Sequence, residues 1–371
     1  MKIFIVSPTL TNGGAERVAS MLAKGFSERG HEVTVVTHTD QKISFDPGPQ
    51  VKLLPIAPIK KSTIVKWMTS LRWFRSYVKE NQPDVIIGIM TFCSYLSRLA
   101  TLGMKVPVVL TEHSAFERIP GYPMKPLLRF TRRWIDHRFR FITVLTEQDK
   151  RVWGDKYAHA VVMPNPLSFP SYEGRLADLN KQKQVLAVGR IYNWYVKGFD
   201  ILIEAWSLLV HKKDFDPSWR LKIAGEGTEE GMLHLSNLCK KYHVEDHVDF
   251  LGFCSDMQRL YRESEIFCLS SRSEGLPMSL LEAMSQGCAP VATDFKGRVR
   301  DVLEGEETGI VCNPQDVQSL AEGLWKMMND DEYRKTAQQK ALDRSHLYSL
   351  DYVMSLWENM FHKMKGNSNA E

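Results

Sequence analysis

The chain has few cysteines, and those it has form no pattern. Cys93, Cys239, Cys254, Cys268, Cys288 and Cys312 include no C-x-x-C pair, which argues against a zinc ribbon or a disulfide framework and leaves them as small core residues. Long apolar runs are missing as well. The opening "MKIFIVSP" holds a short apolar run, less than a signal-peptide core, and nothing reaches the roughly eighteen residues that cross a bilayer. A cytoplasmic protein is expected. No clean G-x-G-x-x-G is found: "AGEGTEEG" (Ala224–Gly231) sets its last glycine one residue late, which counts against a dinucleotide oxidoreductase. No Ser-His-Asp or Cys-His constellation is evident. A formal net charge of +4 is too small to mark a nucleic-acid binder.

What is present is a long globular chain: 371 residues, 43% hydrophobic and 25% charged, more than one core usually serves. Short β-rich runs alternate with helical patterns at Lys2–Ser7, Glu32–Thr37, Val51–Leu54, Asp84–Ile89, Pro107–Thr111, Phe141–Leu145 and Ala160–Met163. After the polar stretch "SFPSYEGRLADLNKQKQ" the rhythm restarts at Val185–Gly189, Leu221–Gly225, His247–Gly252, Ile266–Ser270, Cys288–Thr293 and Gly309–Cys312. That rhythm predicts βαβ units and parallel sheets, an α/β fold of two doubly wound domains. The first would span residues 1–167, the linker 168–183 and the second domain 184–345, with a C-terminal helix in 346–371 crossing back to the first. Two such domains facing one another would place ligand-binding loops in a cleft.

In "SEGLPMSLLEAM" a strand feeds the loop Glu274–Gly275–Leu276, where glycine allows close backbone approach, and Pro277 is placed as the first residue of a helix. The N–H groups of Met278, Ser279 and their neighbours, with the helix dipole, suit an anion such as a diphosphate. Glu274, just outside the helix, can accept hydrogen bonds from hydroxyls beside that anion, and Glu282, deeper in, can reach a second diol. Taken alone, the stretch reads equally as a capped helix with two solvated acids.

The sequence resembles the retaining glycosyltransferases of family four, which have the GT-B fold and an E-x7-E motif that Glu274 and Glu282 match. The resemblance covers nearly the whole chain and is strongest from Val185 to Pro314. It implies two facing Rossmann-like domains with an interdomain cleft, the first glutamate on the donor sugar and the second on the nucleoside ribose. It also implies an arginine and a lysine beside the donor diphosphate, matched by Arg190, after Gly189, and Lys197 in "VGRIYNWYVKGFDILIEAW", where they would stabilise charge on the leaving group. Family members often have a shorter segment between these cations. A glycine-rich first loop facing donor phosphate and acceptor is matched by Gly13 and Gly14 in "SPTLTNGGAERV". A histidine at the donor's reacting face is matched by His113 in "VLTEHSAF", with a core or capping histidine as the alternative. "MPNPLS" matches the family's P-N-G-type interdomain loop only through Pro164 and Asn165.

Glu274, Arg190, Lys197 and His113 are thus the expected catalytic set. The implied reaction is hexosyl transfer from a nucleotide sugar with retention, by front-face attack in which the departing phosphate helps take the acceptor proton. No metal or other cofactor is expected, since cations and helix N-termini take the place of Mg²⁺. The one D-x-D, Asp214–Phe215–Asp216, lies in a polar loop. "EGLP" favours a UDP-sugar over GDP-mannose, and a GDP-mannose-dependent mannosyltransferase or a catalytically silent nucleotide-sugar-binding module stay open.

Positive charge is concentrated in two segments. Lys60, Lys61, Lys66, Arg72, Arg75 and Lys79 have no acid among them in 60–79, and Lys125, Arg129, Arg132, Arg133, Arg138 and Arg140 face only Asp136 in 121–140. On a helical projection Ile64, Trp67, Met68, Leu71, Phe74 and Val78 form a core-facing stripe, leaving Trp73 and Tyr77 near Lys66 on the solvent side. This pattern leads to an expected anionic membrane partner for the first domain, at the inner face of the plasma membrane, in preference to nucleic acid. The acceptor would then be a glycan or lipid-linked glycan of capsule, lipopolysaccharide or another surface polysaccharide.

Overall fold

The computed structural model describes residues 1–11, 13–37, 43–56, 63–113, 126–295, 298–305 and 307–368, with backbone alone at 63–67 and 365–368. Its strands are β1 (Lys2–Val6), β2 (Glu32–Thr37), β3 (Lys52–Pro55), β4 (Val85–Ile89), β5 (Val108–Thr111), β6 (Phe141–Val144), β7 (Val161–Val162), β8 (Gln182–Val188), β9 (Arg220–Ala224), β10 (Val248–Gly252), β11 (Ser264–Leu269), β12 (Ala289–Thr293) and β13 (Ile310–Cys312). Each falls on one of the β-rich runs. They form two all-parallel sheets, ordered β3-β2-β1-β4-β5-β6-β7 and β10-β9-β8-β11-β12-β13. The pattern explains why: β4 (VIIGI) is apolar at every position and buried at every position, as a strand covered on both faces must be.

The chain divides into two compact units. The first holds one sheet and the C-terminal helix Leu350–Ser368, and the second runs from Phe169 to Ser349. In both, the strand order reverses beside the first strand, between β1 and β4 and between β8 and β11. Such switch points leave a crevice outside the carboxyl ends of the strands.

In the first unit, helix α1 (Gly14–Glu28) buries Val18, Leu22 and Phe26 on the sheet. The C-terminal helix covers its outer side: Phe26 meets Trp357 edge-on at 6.1 Å, and Arg29 pairs with Asp351 at 2.6 Å.

Helix α2 (Thr63–Asn81), packed on α3 (Met90–Ala100), departs from its projected orientation. Phe74 and Val78 are buried as expected, but Met68 is 45% exposed. Trp73 and Tyr77 are partly buried against the core instead of facing solvent, stacked on each other at 5.7 Å with Tyr77 5.5 Å from Phe4. The buried arc is centred between Phe74 and Tyr77 and takes in Trp73, so the helix is rotated away from Met68. Lys52, from β3, places its ammonium 5.6 Å from the Tyr77 ring centroid. Lys60, Lys61 and Lys125 lie outside the described residues, as do the side chains of Ile64, Lys66 and Trp67. Five cysteines are buried core residues, and Cys254 is partly exposed.

Candidate functional site

In the second unit the switch point brings together two segments far apart in sequence. Lys197, after β8, donates from Nζ to Oε1 of Glu274, after β11, at 2.7 Å, and the two side chains are 21% and 18% exposed. Ser271 Oγ donates to the same Oε1 at 2.8 Å. Oε2 of Glu274 is therefore the oxygen left to accept from a ligand hydroxyl, while the ammonium keeps further N–H donors for a second anion.

Two glycines make this pair possible. Gly198 takes a left-handed conformation (φ 64°), and a Cβ there would lie 1.9 Å from the Ser270 carbonyl oxygen. A Cβ on Gly189 would lie 2.8 Å from Lys197 Cδ, so its hydrogen gives the lysine stem room to cross the end of β8.

The six residues between the cations form a short turn (Ile191–Asn193) and the first three residues of the helix Trp194–Lys197. Trp194 stacks on His234 at 3.9 Å and fixes one end of the segment. The other end is held by Arg272, which local sequence pattern did not single out. Its guanidinium makes a bidentate pair with Asp200, both distances 2.7 Å, and lies 4.0 Å from the Tyr195 ring centroid. Its backbone N–H donates to Val196 O at 2.8 Å. Arg272 stands two residues before Glu274, so one side chain ties the glutamate loop to the lysine segment. The pairing partner Asp200 is 72 residues away, and no local spacing announces it.

Helix Met278–Ser285 begins one residue later than expected. Pro277 is its N-cap, in a non-helical conformation, and no side chain caps the helix. The first-turn N–H groups of Met278 and Ser279, next to Gly275 and Leu276, keep their capacity to bind an anion. Glu282 lies one turn in, 7% exposed, and accepts a hydrogen bond from Tyr261 Oη at 3.1 Å. Arg190 is exposed, its guanidinium 5.9 Å from the Tyr192 ring centroid. Of the D-x-D, Asp216 is tied to Lys183 at 2.7 Å and to Ser218. Among the described residues no cluster of three His, Cys, Asp or Glu is grouped to hold a metal ion.

The first unit has a different chemistry at the carboxyl ends of β5 and β7, away from its β1–β4 switch point. His113 follows β5, and its Nδ1 lies 3.0 Å from Oδ1 of Asn165, 52 residues on. Its Nε2 lies 2.9 Å from Thr111 Oγ1. Thr111 Oγ1 also donates to Gly88 O at 2.9 Å, and Asn165 and Thr111 together hold the ring at both nitrogens. Burial, the largest influence, pushes the His113 imidazole below its usual value, against opposing contributions from Asn165 and Glu112. His113 and Asn165, singled out separately in the sequence, thus form one unit. Gly13 is the N-cap of α1 with no side-chain cap, and Gly14 opens the helix. A Cβ on Gly13 would lie 2.3 Å from Glu16 Oε2. Asn12 lies outside the described residues.

A cation–carboxylate pair at the switch point of one doubly wound sheet and a neutral His–Asn pair at strand ends of the other define a protein of the GT-B glycosyltransferase class. Solved structures share the fold. Sucrose-phosphate synthase from Thermosynechococcus elongatus matches with a TM-score of 0.80 at 16% identity, over 98% of this chain and 99% of that one. HepE of Anabaena, solved with UDP, matches at 0.80 and 17% identity, over 98% and 100%.

Residues 172–344 match the family described as "Glycosyl transferases group 1" and residues 12–168 the one described as "Glycosyltransferase Family 4". The N-acetylgalactosamine-N,N'-diacetylbacillosaminyl-diphospho-undecaprenol 4-alpha-N-acetylgalactosaminyltransferase of Campylobacter jejuni is 32% identical, over 93% of this chain and 94% of its own. The amylovoran biosynthesis glycosyltransferase AmsD of Erwinia amylovora is 27% identical, over 97% and 99%. The chain belongs to glycosyltransferase family 4.

Proposed function

We propose that this glycosyltransferase moves a hexosyl unit from a UDP-sugar, with retention of configuration, to a lipid-linked glycan during cell-surface polysaccharide assembly. The observation that carries the reading is the Lys197–Glu274 pair beside an uncapped helix N-terminus at the switch point of the second unit. A diphosphate at the Met278–Ser285 helix would meet the ammonium of Lys197, and the sugar next to it would meet Glu274 Oε2. Positive charge at Lys197, Arg190 and the helix N-terminus opposes the negative charge that grows on the leaving diphosphate, the role a divalent ion has in other transferases. This supports a metal-independent reaction. Glu274 shares its charge with Lys197 and Ser271, which suits holding hydroxyls better than attacking an anomeric carbon. Retention then follows from front-face attack, with the departing phosphate taking the acceptor proton. His113, neutral and held at both nitrogens, serves as a fixed polar surface.

The donor reading draws on HepE, solved with UDP and with UDP-glucose. The acceptor reading draws on the Campylobacter relatives, whose names specify undecaprenol-linked glycans and α-1,4 products. Such an acceptor would put the enzyme at the inner face of the plasma membrane.

The test is a thermal-shift and transfer panel of UDP-, GDP- and ADP-sugars against an undecaprenyl-diphosphate-linked acceptor, with and without chelator, the product's anomeric configuration read by NMR. A ligand that binds the native state raises its apparent stability. Stabilisation by a UDP-sugar and an α-linked product made in chelator are expected. Stabilisation by GDP-mannose alone would reassign the donor, and binding without turnover on any acceptor would mean a silent module.

A further inference from the structure

The rotation of α2 leaves the first unit without the membrane-facing aromatics expected there, but helix α4 (Pro126–Trp134) presents others. Leu127 is 75%, Phe130 54% and Trp134 48% exposed. At i, i+3 and i+7 they share one narrow strip of the helix surface. Arg129 and Arg133, also exposed, border that strip on one side. Arg132, on the opposite face, is buried and pairs with Glu112 at 2.5 Å, so the helix is anchored with its apolar strip turned outward. Trp134 lies between two cations, 5.5 Å from the Arg133 guanidinium and 5.2 Å from Lys156 Nζ. Just beyond α4, Arg138 and Arg140 join Arg98 and Lys105 along a groove of about 270 Å³ whose lining contains no carboxylate.

We propose that α4 is the element by which this protein docks on an anionic phospholipid leaflet. Leu127, Phe130 and Trp134 enter the boundary between headgroups and acyl chains, and Arg129, Arg133, Arg138 and Arg140 bind lipid phosphates. Exposed apolar residues beside cations fit that boundary, which is apolar below and anionic above. Arg98 and Lys105 extend the same charge, so the complementarity is to a surface and not to a single ion. The inference does not depend on the transfer reading, because vesicle binding needs neither donor nor acceptor.

Co-sedimentation of the full chain with phosphatidylglycerol–phosphatidylcholine vesicles, and with phosphatidylcholine alone, tests it. Pelleting with the anionic vesicles alone is expected. The double variant L127E/F130E should bind at least tenfold less at any salt, and R129E/R133E should bind at least tenfold less at low salt. These residues are exposed, so the thermal midpoint should stay at the wild-type value and report intact folding. Trp73→Phe should leave vesicle binding unchanged. Failure of wild-type protein to pellet with anionic vesicles, or wild-type pelleting by L127E/F130E, would overturn the proposal. So would self-association in sedimentation velocity that L127E/F130E abolishes while vesicle binding persists.

Discussion

The two units share a topology and differ in what they place at the carboxyl ends of their strands. In the second unit the switch point between β8 and β11 carries opposite charges held by a polar network: Lys197, Glu274, Ser271, and Arg272 locked on Asp200. In the first unit the ends of β5 and β7 carry the uncharged pair His113–Asn165. Charge is present in the first unit too, but it is buried behind α4 as Arg132–Glu112, with Tyr95 donating to Asp136 nearby. On the proposed reading, one scaffold serves a charged ligand in one copy and a neutral hydroxyl in the other. The difference follows from the side chains at the strand ends and not from the sheet.

If buried charge is structural in the first unit and functional in the second, Arg132→Met and Glu274→Ala should fail differently. Arg132→Met leaves Glu112 without its guanidinium in a site where both side chains are nearly inaccessible (2% and 6% exposed). Removing one partner of a buried pair typically costs about 3–5 kcal/mol. Urea unfolding should show that loss in the transition of the first unit alone, and an equal loss in both units would break the comparison. Glu274→Ala should leave unfolding close to wild type and lower turnover about a hundred- to a thousandfold, the loss seen when one fixed group facing transition-state charge is removed. UDP affinity should change little, because the carboxylate is read as facing the sugar. Wild-type turnover in that variant would remove Glu274 from the site.

The same contrast decides how much could be read from the sequence. The thirteen strands of the described residues were legible because parallel strands buried on both faces need continuous apolar runs, and runs such as "VIIGI" have few other uses. Glu274 was legible because its loop, N-cap and helix are contiguous. Arg272 was not, although it lies two residues away, since its meaning comes from Asp200 across the sheet. His113 and Asn165 were legible one at a time, but their pairing depends on how β5 and the segment after β7 converge. The orientation of α2 was misread because a projection cannot tell which of two adjoining apolar arcs meets the sheet. The exposed strip of α4 has the same period as a buried one, and only the structure shows that nothing in the described chain covers it.

Arg272 offers a sharper probe of the second unit, because it touches the site only through its neighbours. Arg272→Ala removes two charge-assisted hydrogen bonds to Asp200, each worth about 1.5–3 kcal/mol at most when well buried, and frees the segment that carries Lys197. Turnover should fall about tenfold or more, with a smaller change in KM. Arg272→Lys should restore little, because an ammonium cannot reproduce the planar fork. Full rescue by lysine would show that charge at this position, and not geometry, is what the site uses.

The smallest expected effect is a pH dependence confined to the first unit, where two shifts oppose each other. His113 is held below its ordinary value of 6.5, chiefly by burial, so the unfolded chain binds its proton more readily than the native one. Its contribution is fully present above pH 6.5 and is lost as pH falls towards the folded value. His137, lowered by desolvation and by Lys156 and Arg138, slopes the same way. Asp136 does the reverse: burial, the largest cause, pushes its carboxyl from 3.8 up to about 6, so ionising it destabilises the native state. That penalty is complete above pH 6 and is relieved as pH falls from there towards 3.8. Between about pH 4 and 6.5 the terms oppose each other, so the wild-type slope should lie between those of variants that remove one term or the other. Each variant should expose the other term. With His113→Gln the midpoint should rise on acidification through this window, because the Asp136 term is less opposed. With Asp136→Asn it should fall, because the histidines act alone. Thermal midpoints at half-unit pH steps read both slopes, and parallel curves for all three proteins would mean that the buried charges of the first unit are not protonation-linked to its folding.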